Sequence, residues 1–234
     1  MTNRVISLLP CQMRFLRSAA KFVWFCAGLG TGKTFSLIQY AIYRALTNPE
    51  TLGFIGAAQW SQVRDVTLAE LFRQLQDMGL EYEYSSLTNF VRLKCNGARI
   101  KVLSMENFEM LRGYEFGWFA LDEATLIKEE AYNVLLGRLR CRRSKALEGR
   151  LVSTPRGFDY LYDRYVGHLK NAHHDFVHAT SFDNHLLPPG YIESLASSYS
   201  KLKYRQEVLA EFVADTEGRV YTSFDRSEHV RSTP

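Results

Sequence analysis

Cysteine is scarce in these 234 residues: Cys11, Cys26, Cys95 and Cys141 are scattered, and no two form a Cys-x-x-Cys pair. The chain therefore offers neither a disulfide framework nor a paired-cysteine metal site, and its thiols read as reduced and structural. Long apolar runs are missing as well. The longest stretch without Asp, Glu, Lys or Arg is Thr51–Val63, thirteen residues, whereas a membrane span needs about 20. The early residues carry Arg4, Arg14 and Arg17 with no long apolar run and no small-residue cleavage site, so no signal peptide is expected. A dominant charge is also lacking. Lys and Arg number 29 against 25 Asp and Glu, a net of +4, which permits a nucleic-acid partner without requiring one.

What remains is ordinary globular composition, 46% hydrophobic and 23% charged, in a chain long enough to bury a core without staples. Periodicity alternates between two types. Lys21–Cys26, Leu52–Ala57, Glu81–Ser85, Asn89–Lys94, Ala98–Leu103, Trp118–Leu121, Arg150–Ser153 and His174–Ala179 read as strands, with Asn96-Gly97 as a hairpin turn. Helical patterns fall at Lys33–Leu46, Gln59–Met78, Glu129–Leu139, Phe158–Val166, Tyr191–Tyr199 and Tyr204–Phe212. Strands alternating with helices predict an α/β fold with a mostly parallel central sheet flanked by helices. The expected division is a core over 1–187 and a helical subdomain or linker over 188–234.

The most informative segment is Ala27-Gly28-Leu29-Gly30-Thr31-Gly32-Lys33-Thr34. It fits the phosphate-loop pattern, with Ala27 at the first glycine position, and it sits where it must, after a strand and at the start of a helix. Small residues let backbone amides curl around phosphates, and the helix N-terminus adds its dipole. Lys33 would neutralise the phosphates and the Thr34 hydroxyl would ligate Mg²⁺. A second motif follows: the apolar strand Trp118–Leu121 ends in Asp122-Glu123. Asp122 would hold Mg²⁺ through water, and Glu123 would orient and deprotonate the attacking water. This pair points to ATP hydrolysis rather than to a nucleotide kinase. Two acids opening a helix is the bland alternative.

With both motifs in place, the chain resembles P-loop ATPases of the additional-strand, catalytic-glutamate (RecA-like) type. More closely it resembles the ATPase domain of the large terminase subunit of tailed bacteriophages. The resemblance rests on Leu9-Pro10-x-Gln12, Ser104-x-x-Asn107, Leu111-Arg112-Gly113, Ser153-Thr154-Pro155-Arg156-Gly157 and Tyr204-Arg205-Gln206-Glu207 through Glu211-Phe212, in that order. It implies a motor that uses ATP and Mg²⁺ to drive double-stranded DNA into a procapsid. It further implies a homo-oligomeric ring with portal protein and small terminase subunit as partners, in the host cytoplasm at the portal. Gln12 matches the adenine-reading glutamine, and Ser153, Thr154 and Pro155 match the coupling motif. Many relatives carry an arginine inside the phosphate loop where this chain has Leu29. Arg112 matches a position suggested for an arginine donated by a neighbouring subunit.

Arg138, Arg140, Arg142, Arg143, Lys145 and Arg150 place six cations within thirteen residues, with Glu148 the one acid among them. DNA phosphate contact, a subunit contact and a helix end complemented by positive charge all remain open for this cluster. His168, His173, His174 and His178 lack a metal-ligand pattern and read as surface residues. The tail from Gly218 holds Asp225 and Glu228 as its acids, so no nuclease activity is expected from these residues. A helicase-like translocase and a nucleotide-gated assembly protein that does not hydrolyse ATP are the competing functions.

Overall fold

Alternating side chains in the apolar strands explain why helices cover both faces of the sheet. The computed structural model describes residues 6–145 and 147–214; Arg4, Asp225 and Glu228 lie outside them. In β1 (Phe22–Ala27), Val23 and Phe25 enter one core while Trp24 and Cys26 enter the other. The remaining strands are β2 (Leu52–Ala57), β3 (Tyr82–Ser85), β4 (Phe90–Leu93), β5 (Arg99–Ser104), β6 (Trp118–Leu121), β7 (Glu148–Ser153) and β8 (His174–Ala179). They form one eight-stranded sheet in the order β3-β4-β5-β2-β6-β7-β1-β8. Pairing is parallel from β5 to β8, and antiparallel at the β3–β4 and β4–β5 contacts.

One face is covered by α1 (Pro10–Arg17), α2 (Lys33–Thr47) and the segment from the short α3 (Trp60–Gln62) through α4 (Ala69–Asp77). The other face is covered by α5 (Glu129–Arg138) and α6 (Tyr160–Tyr165). Burying such apolar side chains contributes about 1.5–3 kcal/mol each for the larger ones. Register then decides where the chemistry lies. Cys26 sits level with Ser153, and Gly56 with Leu121. The C-terminal ends of β1, β7, β6 and β2 therefore share one edge, with β7 inserted between the strand before Lys33 and the strand before Asp122. Ligands of open α/β sheets bind at that edge.

Three expectations need correction. The single helix expected over Gln59–Met78 is instead α3, a π-helical stretch at Val63–Leu68, and then α4. The wider turn buries Thr67, whose hydroxyl donates to Asp122 at 3.1 Å, and such insertions recur at functional sites. The last helix, expected over Tyr204–Phe212, spans Lys201–Glu207 as α8, following α7 (Tyr191–Ser198). The Ser200 side chain caps α8 by accepting from the Lys203 amide. Beyond it the carbonyls of Glu207 and Val208 serve other segments, and Ala210 takes φ +54°, so the helix cannot continue.

Arg150 is the third correction. It is 1% exposed and does not belong to a surface cluster. Its guanidinium donates to the carbonyls of Ser18 (2.8 Å) and Ala20 (3.2 Å), lies over the Tyr40 ring, and pairs with Glu148 at 3.8 Å. Removing one partner of a buried ion pair typically costs about 3–5 kcal/mol. Arg150→Ala should fall near the lower end, about 3 kcal/mol, because Arg44 still pairs with Glu148 at 2.5 Å. A lowered urea midpoint with an unchanged slope checks this.

Candidate nucleotide site

The turn from β1 into α2 is built for close backbone approach. Gly32 stands at φ +74°, a conformation that side chains other than glycine rarely adopt. Gly28 has no room for a side chain: an added Cβ would lie 2.5 Å from the Val208 carbonyl oxygen and 2.8 Å from Ser181 Oγ. Lys33 is buried beneath the loop, and its ammonium donates to the carbonyls of Ala27 (2.8 Å) and Gly28 (2.9 Å). Burial pushes its pKa down, opposed by the nearby carboxylates of Glu123, Asp122 and Glu207 and by the Cys26 thiol.

Thr34, in the first turn of α2, lies with Asp122 at the end of β6. Its hydroxyl is 3.3 and 3.1 Å from the two carboxylate oxygens. Asp122 is 1% exposed, its backbone amide tied to the Gly56 carbonyl. Burial raises its pKa, and hydrogen bonds from Thr34, Thr67 and the Glu123 amide oppose that rise. These are hard oxygen donors on one carboxylate and one hydroxyl. Mg²⁺ commonly takes so few protein ligands, because substrate phosphates and waters complete its shell.

Glu123 follows at φ 44° and ψ 51°, a left-handed conformation that costs a non-glycine residue about 1–3 kcal/mol and clusters at functional sites. Burial raises its pKa, while Lys33 and a hydrogen bond from the Thr154 backbone favour the ionised form. Thr125 donates to the Thr154 carbonyl at 3.1 Å, closing this contact from the other side. Ser153 is fully buried and accepts from the Trp24 indole at 2.9 Å. Pro155 is buried beside it.

Gln12, in the first turn of α1, is buried too. It accepts from the Leu9 amide at 3.0 Å and donates to the Thr31 carbonyl at 2.9 Å, so it braces the loop from α1. Other contacts to the loop were invisible in the sequence. The Leu29 amide donates to the Glu207 carbonyl at 2.7 Å. Ser181 donates to the Leu29 carbonyl at 2.8 Å and Asn184 to that of Gly30 at 2.6 Å. No spacing rule announces these partners, which lie far along the chain from the loop; Thr67 likewise gave no signal inside an apparently regular helix.

Arginines singled out by sequence lie away from this cluster. Arg112 is exposed, paired with Glu109, and its carbonyl accepts from Arg138 at 2.9 Å. The run from Arg138 to Lys145 leads into β7 from the opposite, N-terminal edge of the parallel strands. Arg140 pairs with Glu115 and Arg143 with Glu50; Arg142 and Lys145 are exposed. The histidines are dispersed: His168 meets Asp163, His174 meets Asn171 and His178 meets the Ala210 carbonyl. Among the described residues no helix is long and apolar enough to cross a membrane.

The fold has known counterparts. The large terminase of a thermophilic bacteriophage superposes with a TM-score of 0.80 at 19% identity, covering 98% of this chain and 59% of that protein. The same terminase in complex with ATP-gamma-S gives 0.76 at 19% identity, over 88% of this chain and 53% of that one. The large terminase ATPase domain of Thermus phage P74-26 gives 0.70 at 20% identity, over 90% and 94%. At such identities the likeness shows a shared RecA-like P-loop fold, and the chain spans 59% of the length of the first of these proteins. No curated protein matches. The family described as terminase large subunit, T4likevirus-type, N-terminal, matches residues 24–228, most of the chain, and to that family this protein belongs.

Proposed function

We propose that this chain is a Mg²⁺-dependent ATPase whose turnover drives double-stranded viral DNA into a procapsid. The observation that carries the reading is the convergence at one sheet edge of Lys33, the Thr34–Asp122 contact of 3.1 Å and Glu123. In this reading Lys33 and the loop amides from Gly28 to Thr34 hold the phosphates. Thr34 and Asp122 hold Mg²⁺, which supplies further charge neutralisation when bound. Glu123 takes a proton from the attacking water, and Gln12 reads the adenine edge while bracing the loop. Ser153, Thr154 and Pro155 couple the state of the terminal phosphate to the sheet, since the Thr154 amide already holds the Glu123 carboxylate. Arg138, Arg140, Arg142, Arg143 and Lys145 contact DNA phosphates or a neighbouring subunit of a homo-oligomeric ring. Portal protein and small terminase subunit complete the assembly at the capsid portal in the host cytoplasm.

Steady-state phosphate release, with and without double-stranded DNA, tests this reading directly. Release that needs Mg²⁺ and rises with DNA is the expected result; no release under any condition would sink it. Lys33→Ala should also lose nucleotide binding. Its ammonium is the cation held beneath the loop, and desolvated charge-assisted hydrogen bonds contribute about 1.5–3 kcal/mol each. Titration with a fluorescent ATP analogue should show affinity weakened by roughly tenfold to 100-fold or more.

A further inference from the structure

The charge at the site does not balance with the residues assigned so far. Lys33 stands among the carboxylates of Glu123, Asp122 and Glu207. Mg²⁺ would offset two of those negative charges, but ATP brings further ones, and transfer of the terminal phosphoryl group spreads charge over its outer oxygens. The phosphate loop adds no cation of its own beyond Lys33, because Leu29 occupies its middle. Arg112 is paired with Glu109, and the Arg138–Lys145 run lies toward the opposite edge of the parallel strands.

Beside Glu123 the structure holds a polar cavity of about 510 Å³ between the coupling segment and α8. Thr125, Thr154, Gln206 and Glu207 line it, and so do two cations, Arg156 and Lys203. This space adjoins the site: Thr125, two residues past Glu123, donates to the Thr154 carbonyl at 3.1 Å, and the Glu207 carbonyl accepts from the Leu29 amide of the phosphate loop at 2.7 Å. Lys203 lies over the Tyr199 ring at 4.5 Å. Arg156 is exposed and forms no ion pair or hydrogen bond with any described residue. It follows buried Pro155 and precedes Gly157 at φ +66°, so a rigid anchor and a tight turn set where its side chain starts. Its backbone is two residues from the group that holds Glu123.

We propose that Arg156 is a catalytic residue of its own chain's site, swinging into this cavity to meet the terminal phosphoryl group as its charge redistributes. The inference rests on the ATPase reading above. A planar guanidinium suits this task, since its fork can span two phosphoryl oxygens. No bond to Arg156 forms or breaks; water attacks phosphorus, its proton passes to Glu123, and ADP leaves.

Single-turnover hydrolysis by Arg156→Ala and Arg156→Lys tests it, with ADP and ADP–aluminium fluoride binding measured on the same proteins. Arg156→Ala should slow hydrolysis about 10³-fold, keep ADP affinity, and lose the preference for ADP–aluminium fluoride over ADP. Arg156→Lys should recover part of both losses. Mixing Arg156→Ala with Glu123→Gln protein should restore nothing, because each chain must hold both groups. Wild-type rates in Arg156→Ala beside an active wild type would overturn this inference alone, as would rescue on mixing. A wild type no faster than Glu123→Gln would overturn the ATPase reading and this one with it. The exposed position keeps folding out of the comparison, which equal melting temperatures will verify.

Discussion

Glu123→Gln protein is expected to bind ATP as well as the wild type while hydrolysing it about 10²–10⁴-fold more slowly, the usual contribution of a positioned general base. The substitution keeps size, shape and the hydrogen bond from the Thr154 backbone. It removes the ability to take a proton. The folded chain holds Glu123 in a left-handed conformation at the end of β6, with burial raising its pKa; a purely structural acid at a helix start would need neither. Quenched-flow formation of ADP, beside equilibrium binding of a fluorescent ATP analogue, separates the two roles. Turnover near the wild-type rate in the glutamine variant would return Glu123 to the status of a helix-start acid. It would also favour a nucleotide-gated assembly protein over a motor.

An even larger effect is expected at Arg112, but only in the assembled state. Arginines delivered from a neighbouring subunit typically accelerate phosphoryl transfer by about 10³–10⁵. Arg112 cannot act in this way within its own chain as folded, for it sits beside α5, bound to Glu109, with its carbonyl on Arg138. If a neighbour receives it, wild-type specific activity should climb with protein concentration, and Arg112→Ala should flatten that climb. Mixing is the sharper measurement. Arg112→Ala retains Glu123, Glu123→Gln retains Arg112, and a mixed ring contains interfaces where both are intact. Recovery of hydrolysis in the mixture is the expected result. Association without recovery would leave Arg112 as a brace between the 3₁₀ segment Met105–Gly113 and α5. Opposite outcomes are thus expected for the two arginines, complementation at Arg112 and none at Arg156.

Legibility in the sequence followed the range of the forces involved. Strands Leu52–Ala57, Trp118–Leu121 and His174–Ala179 end where pattern alone placed them; the first two are short apolar runs bounded by turn or charged residues. The pairing of a Gly-Lys-Thr helix start with an Asp-Glu strand end was equally readable, since both are local patterns with one plausible context. Sheet order was not. It depends on which strands the crossovers leave adjacent, and nothing in β7 itself says that it inserts between β6 and β1. Burial of individual charges was also hidden: Arg150 reads as one more cation in a basic run until Ser18, Ala20 and Tyr40 are seen around it. Thr67 was concealed by the assumption of constant helical pitch. The end of α8 was misjudged for a related reason, because its carbonyls bond to residues far away in the chain.

Those carbonyls have a consequence for how freely this protein can vary. The segment Glu207–Ala210 is fastened to the phosphate-loop end of the sheet through its main chain: Glu207 accepts from Leu29, Val208 from Ser181, and Ala210 from His178. Two of these three bonds involve backbone atoms on both sides, so most side-chain replacements at 207 and 208 leave them untouched. The restriction falls on the opposite wall, where Gly28 has to stay small to let the Val208 oxygen pass within 2.5 Å of where a Cβ would stand. The attachment to the loop is therefore carried by main-chain atoms, while the fully buried Val208 and Ala210 stay restricted by packing. Any shift of the loop's amides reaches residues 207–210 through bonds that few mutations can retune.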